Sequence, residues 1–226
     1  YVQRTSDLDA VRADLDAGRD VGKVLGLFSA DDMAYEFDRH EDPWGEPSLE
    51  EMTRFAIALL ERNAKGYFLL VEGGRIDHAA HENLARHMVN ETLAFDRAVK
   101  AGLELTDEAN DTLIVVTADH ETGGMSINGY PSVEIGGDDL FREPAGIGGP
   151  HIITFATGPG ANREQQEGLA TDAAEYRQPA LVPGTSAAHT GSDVIAYAAG
   201  PTAEEFRGTI DNTDIAKKMM AYLGLD

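Results

Sequence analysis

The alternation of short apolar runs with amphipathic stretches constrains this chain more than any other feature. Tyr67 to Val71 is a continuous apolar run of strand length, the pattern of a strand buried on both faces, and Thr112 to Val116 reads as the next buried strand. Between them, from about Asp77 to Leu103, apolar residues recur at helical spacing. Strand, helix, strand in that order predicts a parallel pair joined by a right-handed crossover. Val24 to Phe28 and Val194 to Ala198 read as further core strands, and Ser6 to Gly18 and Asp214 to Leu223 as further helices. A helix continuing to about Arg62 starts at Ser48-Leu49-Glu50-Glu51, a capping box in which each partner satisfies an amide of the other. Ser29 to Pro47, rich in Asp, Glu, Pro and Gly, reads as a surface loop. The expected fold is α/β, part of a doubly wound, mostly parallel sheet sandwiched by helices. Residues from about 124 to 188 turn to Gly, Pro and short polar stretches, with one strand at Ile152 to Ala156, and read as an insertion over that sheet. The 226 residues suit one large α/β domain or part of something larger.

Cysteine is absent, which excludes a disulfide framework, a thiolate metal site and a thiol nucleophile. Any metal has to be held by histidines and carboxylates. Forty acidic residues face eighteen Lys plus Arg, for a formal charge of −22. Such a surface repels nucleic acid and anionic lipid. It fits a well-hydrated protein or, as the favoured expectation, one adapted to high salt, where counterions screen self-repulsion. No apolar run reaches the length of a membrane span, and no basic-then-apolar leader opens the chain. That second observation carries little weight, because Tyr1-Val2 begins as if in mid-strand.

Three segments carry chemistry, each where an expected strand gives way to a loop or helix, the place where open α/β sheets hold ligands. In Val71-Glu72-Gly73-Gly74-Arg75-Ile76-Asp77-His78-Ala79-Ala80-His81, Asp77 and His81 are four apart. On a helix they share a face and can close on one cation. Glu72 places a third acidic group at the same edge. In Val115-Val116-Thr117-Ala118-Asp119-His120-Glu121-Thr122-Gly123-Gly124 an apolar strand runs directly into Asp119 and His120, and the glycines after them let the backbone turn away. A strand-end aspartate capping a turn would account for Asp119 but not for His120. The third segment, Ala188-His189-Thr190-Gly191-Ser192-Asp193, completes a set: Asp77, His81 and His189 form a nitrogen/oxygen zinc site with one open position, the pattern of catalytic zinc.

These segments, in this order and with these flanks, resemble those of alkaline phosphatases across essentially the whole chain. Gly26-Leu27-Phe28, Pro47-Ser48-Leu49 and the run from Val71 to His78 are similar to the animal and related bacterial branch. The resemblance implies hydrolysis of phosphate monoesters through a phosphoserine intermediate, and identifies the stretch near 124–188 with a crown-like segment. It assigns Asp77, His81 and His189 to a first zinc, Asp119 and His120 to a second, and Glu72 to a neighbouring magnesium, with His78 just outside the ligand shell. Calcium would sit near the Phe28 carbonyl and Glu46, although Ser29 stands where relatives carry a second acid. His40, His87 and His151 match no motif and read as surface or packing residues. Relatives are mostly homodimers exported to the periplasm or exterior.

The family's nucleophile, an Asp-Ser-Ala-type serine with a downstream phosphate-binding arginine and a bridging aspartate, has no counterpart in these 226 residues. Ser126, Ser186 and Ser192 lie near the motifs without those surroundings. The expectation is that the nucleophile belongs to an absent amino-terminal half and that this chain alone is inactive. Phosphodiesterases, sulfatases and phosphoglycerate mutases share the metal arrangement, but the Glu72 run favours the monoesterase. A non-catalytic acidic metal-binding module is the alternative of a different class, separable by its loose and variable cation content.

Overall fold

The computed structural model describes residues 1–41, 45–106, 111–128 and 152–225. Five α-helices appear among them: α1 (Thr5–Asp16), α2 (Leu49–Leu60), α3 (Arg75–His81), α4 (Ala85–Leu105) and α5 (Asn212–Tyr222). Seven short strands accompany these: β1 (Ile114–Val116), β2 (Glu121–Thr122), β3 (Ser126–Ile127), β4 (Ile153–Gly158), β5 (Ala180–Pro183), β6 (His189–Thr190) and β7 (Tyr197–Ala199). None of the described helices is long and apolar enough to cross a membrane.

The start of α2 forms as its sequence demands. The Ser48 hydroxyl accepts from the Glu51 amide at 3.2 Å, and the Glu51 carboxylate accepts from the Ser48 amide at 2.7 Å. The helix buries Thr53, Phe55 and Ile57 and packs along α4. Arg54 bridges Glu50 and Glu104, each at 2.8 Å, and so ties the two helices at their outer edge.

Where one long helix was expected from Asp77 to Leu103, the structure breaks the chain at residues 82–84. Asn83 takes a left-handed backbone, φ 57°, which asparagine tolerates better than most residues. Tertiary contacts hold it there. Fully buried, it donates from Nδ2 to the Thr157 carbonyl at 3.1 Å, accepts the Gly160 amide on Oδ1 at 2.9 Å and accepts the Gln178 amide on its own carbonyl at 2.9 Å. The break is thereby stitched to β4 and to the segment entering β5, and α3 becomes a separate element. Ala79 and Ala80 on α3 join Ala85, Met88, Ile153 and Phe155 in the main core cluster. A second cluster of Val2, Leu8, Leu15 and Phe55 sits under α1 and α2.

The class α/β holds, but the sheets are mixed. β1 pairs antiparallel with β7, β2 antiparallel with β6, β3 antiparallel with β4, and β4 parallel with β5. The expected parallel pairing of 67–71 with 112–116 is not formed among the described residues: β1 takes β7 as its partner, and 67–71 is extended chain outside any ladder. Val24 to Phe28 contributes one parallel bridge, between Val2 and Gly26. The core strand expected over Val194 to Ala198 is β7, shifted to Tyr197–Ala199.

A common pattern explains these departures. Along 24–28, Val24 and Phe28 pack on the second core cluster while Leu25 and Leu27 are 57% and 51% exposed. Along 67–71 the same alternation leaves Phe68 and Leu70 exposed, and along 194–198 Val194, Ile195 and Tyr197 are exposed. Continuous apolar sequence reports a demand for burial on both faces, and here only one face of each segment is covered. Within the stretch from 124 to 188, residues 129–151 lie outside the described residues. The strand expected at Ile152 to Ala156 is β4, whose Ile153 and Phe155 are buried in the main core cluster.

Candidate metal centre

The centre is assembled by α3, β2 and β6. Because Ala79 and Ala80 point into the core, the opposite face of α3 carries Asp77 and His81 outward, one turn apart. Asp77 Oδ2 lies 3.3 Å from His81 Nε2. β6 brings in His189, whose Nε2 is 3.1 Å from His81 Nε2 and 3.7 Å from Asp77 Oδ1. The three ligand atoms all lie within 4.8 Å of one another. Ligands tetrahedrally bound to one zinc at about 2.0–2.1 Å stand about 3.3 Å apart, so two imidazole nitrogens and one carboxylate fit that ion in number, chemistry and spacing.

His81 is oriented from behind. Its Nδ1 lies 2.7 Å from the Ala187 carbonyl, with the Ser186 hydroxyl at 3.1 Å. A carbonyl only accepts, so the proton sits on Nδ1 and the Nε2 lone pair is left toward Asp77 and His189. The Ala187 amide donates in return to the His81 carbonyl at 2.7 Å, which clamps the end of α3 to the segment entering β6.

His189 is held in register by the β2–β6 ladder, where it stands opposite Thr122 while Thr190 stands opposite Glu121. Glu121 acts as the staple of this corner. Burial alone would raise its pKa, but hydrogen bonds from the Thr190 hydroxyl and from the amides of Gly124 and Met125 outweigh that and hold it below the ordinary glutamate value. The turn after β2 requires glycine: Gly123 and Gly124 have φ of 86° and 60°, and a Cβ at Gly124 would meet that of Ala156 at 2.6 Å.

His120 stacks on His189, with ring centroids 3.6 Å apart and planes at 21°. Its Nε2 is 3.2 Å from Asp119 Oδ2, and its Nδ1 is 3.2 Å from the Thr122 hydroxyl and 4.0 Å from Asp77 Oδ1. His120 and Asp119 therefore face each other beside the three-ligand cluster, with the Asp119 side chain 86% exposed. Glu72 is exposed at the end of the extended 67–72 segment. His78 is exposed and points away to Asp32, 3.4 Å distant, which Arg75 also contacts at 3.1 Å. Of the calcium candidates, Phe28 packs its ring on the second core cluster, and Glu46 is buried with its carboxylate accepting the Ala34 amide at 2.8 Å. His40 is exposed, His87 is buried, and His151 lies outside the described residues.

Sequence reasoning assigned no role to Thr122, Ser186 or the Ala187 carbonyl. Hydroxyls and main-chain carbonyls that brace a candidate ligand follow no spacing rule, and Ser186 stood out only as a serine near the motifs.

Comparison with known proteins places this geometry. Residues 1–225 match the family model described as alkaline phosphatase. The tissue-nonspecific alkaline phosphatase of Gallus gallus is 39% identical over 210 residues, covering 88% of this chain and 39% of that protein. Alkaline phosphatase 3 of Bacillus subtilis is 34% identical over 236 residues, covering 89% of this chain and 49% of its own length. The crystal structure of a cold-active alkaline phosphatase from a psychrophilic Shewanella species aligns at a TM-score of 0.61 with 28% identity, covering 97% of this chain and 61% of that one. The chain thus spans 39% and 49% of the two curated relatives, and across that span, by sequence and backbone, it belongs to the alkaline phosphatase family.

Proposed function

We propose that this chain supplies the metal-ligating part of a phosphate-monoester hydrolase working through a phosphoserine intermediate, with the attacking serine outside these 226 residues. The observation that carries the proposal is the meeting of Asp77, His81 and His189 within 4.8 Å. Asp77, His81 and His189 would hold a first zinc, Asp119 and His120 a second, and Glu72 a magnesium, which prefers oxygen ligands. Bound at these residues, paired zinc ions would supply neutralisation of the entering and leaving oxygens of an in-line displacement at phosphorus. The chain's own residues prepare for that task. The Ala187 carbonyl keeps the His81 proton on Nδ1, the β2–β6 ladder holds His189 in register, and Glu121 pins the turn beneath it.

Partners and setting belong to the same proposal. The uncovered apolar side chains Leu25, Leu27, Phe68, Leu70, Ile195 and Tyr197 support packing against a further part of the protein, the half that would carry the serine. Homodimer formation, function outside the cytoplasm, adaptation to high salt and a calcium ion near Phe28 and Glu46 complete it. Calcium there would take the Glu46 carboxylate from the Ala34 amide it now accepts.

The test is a zinc titration of the purified chain against a chromophoric chelator, with hydrolysis of p-nitrophenyl phosphate followed in parallel. Tight zinc binding that Asp77→Ala abolishes, without turnover, is the expected result. Zinc-dependent turnover by the chain alone would refute the placement of the nucleophile, and absence of zinc binding would refute the proposal as a whole.

A further inference from the structure

We propose that the Thr122 hydroxyl is a positioning group that couples the two sets of metal ligands, setting the carboxylate of Asp77 and the ring of His120 through one shared hydroxyl group. This rests on the metal-centre reading above and adds to it a residue with no ligand role. Thr122 is buried at 9% exposure. Its Oγ1 lies 2.5 Å from Asp77 Oδ1 and 3.2 Å from His120 Nδ1. A hydroxyl has one proton to give and two lone pairs to receive with, whereas an ionised carboxylate only accepts. The hydroxyl proton therefore goes to Asp77. Toward His120 the oxygen can then only accept, so His120 donates from Nδ1 and presents Nε2 with its lone pair bare.

The chain of donors has one direction: His120 Nδ1–H to Thr122 Oγ1, and Thr122 O–H to Asp77 Oδ1. Its two ends do what metal ligation needs. At Asp77, one carboxylate oxygen is occupied by the hydroxyl, and the other, Oδ2, faces His81 Nε2 at 3.3 Å. At His120, the free nitrogen is Nε2, the atom facing Asp119 at 3.2 Å. The main chain of Thr122 adds a third tie, because the residue stands directly opposite His189 in the β2–β6 ladder, and the His120 ring stacks on His189. One small side chain thus touches a ligand of each proposed site, while its backbone registers a third ligand. Displacing Asp77 or His120 shifts the other through it.

Outer partners of metal ligands change affinity by about 10- to 100-fold when removed. Thr122→Val keeps shape and strand preference and deletes only the hydroxyl. Thr122→Ser keeps the hydroxyl and deletes the methyl group. Zinc titration of the 226-residue chain should show Thr122→Val weakened by about 10- to 100-fold, with Thr122→Ser close to the parent. Nitrogen-15 spectra of the metal-free chain should show His120 protonated on Nδ1 in the parent and Thr122→Ser, and a mixture of tautomers in Thr122→Val. Loss of packing alone would not produce that change. Parent-like zinc affinity and an unchanged His120 spectrum in Thr122→Val would overturn the proposal, as would a Thr122→Ser variant as weak as valine. Should valine not fold, Thr122→Ala replaces it under the same criteria. Should the parent itself bind no zinc, the metal reading fails, and the His120 spectra still decide whether Thr122 sets that ring.

Discussion

Two clusters in this molecule are built from the same chemistry and reach opposite ends. Around His81, a histidine meets an aspartate one helical turn away and a second histidine across the chain. Around His87, on the next helix, a histidine again meets an aspartate, with glutamates beside it. His87 is 6% exposed, its ring lies between Tyr35 and Phe37, and both nitrogens are committed, Nε2 to Asp38 at 2.9 Å and Nδ1 to the Ala174 carbonyl at 3.0 Å. Nearby, Glu91 accepts the Glu36 amide at 2.5 Å, and Glu36 in turn holds Arg39 and Arg97. Such a network uses up its hydrogen-bonding capacity on itself, and that makes it a brace. At His81, Nδ1 is committed to a main-chain carbonyl, while Nε2 faces Asp77 Oδ2 at 3.3 Å and His189 Nε2 at 3.1 Å. That side of the ring joins two further candidate ligand atoms, all three within 4.8 Å of one another. What separates a packing histidine from a candidate ligand is whether both ring nitrogens are used up by the fold or one is turned toward other candidate ligand atoms.

That contrast is open to breakage by substitution at both centres. Replacing His81 with alanine should reduce zinc binding below detection in a chelator competition, a larger loss than the 10- to 100-fold or so expected from outer partners, while leaving the unfolding midpoint of the metal-free chain almost unmoved. The mirror experiment is His87→Ala. Zinc affinity should stay at the parent value, and stability in urea should fall by about 2–4 kcal/mol, since a buried ring and two hydrogen bonds are lost and acceptors are left unpaired. Zinc affinity that follows His87 instead would erase the distinction between the clusters.

The smallest effect concerns Glu91, and it sharpens the picture of the brace. Burial pushes its pKa up, the Glu36 amide pulls it partly back, and the neighbouring Glu36 charge pushes it up again, so it stands above the ordinary value of 4.5. For a carboxylate raised in the folded state, the stabilising contribution is full below the unfolded pKa and is lost as pH rises through the folded one. Glu91→Gln keeps an oxygen for the Glu36 amide and removes the ionisation. Urea midpoints measured from about pH 4 to 8 should decline less with rising pH than in the parent, and a slope equal to the parent's would show that Glu91 is not strained by its burial.

Much of the centre could be read along the chain. Asp77 and His81 are local to one another, so helical spacing alone puts them on one face, and the capping box at Ser48 is equally local. The long helix from Asp77 failed at Asn83 because apolar periodicity runs straight through the break. The left-handed turn there is stabilised by Thr157, Gly160 and Gln178, all more than seventy residues away. Strand partners are not legible in the sequence for a related reason. The run at 67–71 declares that it is apolar on both faces, but the choice of β7 as neighbour to β1, and the exposure of Leu70 at 77%, depend on which chain arrives alongside.

By itself, the sequence determined the kinds of candidate ligand, their order, the exclusion of sulfur chemistry and the helical pairing of Asp77 with His81, since residue chemistry and short-range periodicity are local properties. Tertiary structure alone decided that His189 meets them from more than a hundred residues away, that His81 holds its proton on Nδ1, that His120 stacks on His189 and that Thr122 stands between Asp77 and His120. The physical reason is range. Hydrogen-bond direction and ligand spacing are set over distances of about 3 Å, and proximity on that scale between distant parts of the chain exists only once the core beneath α3 and β4 has packed.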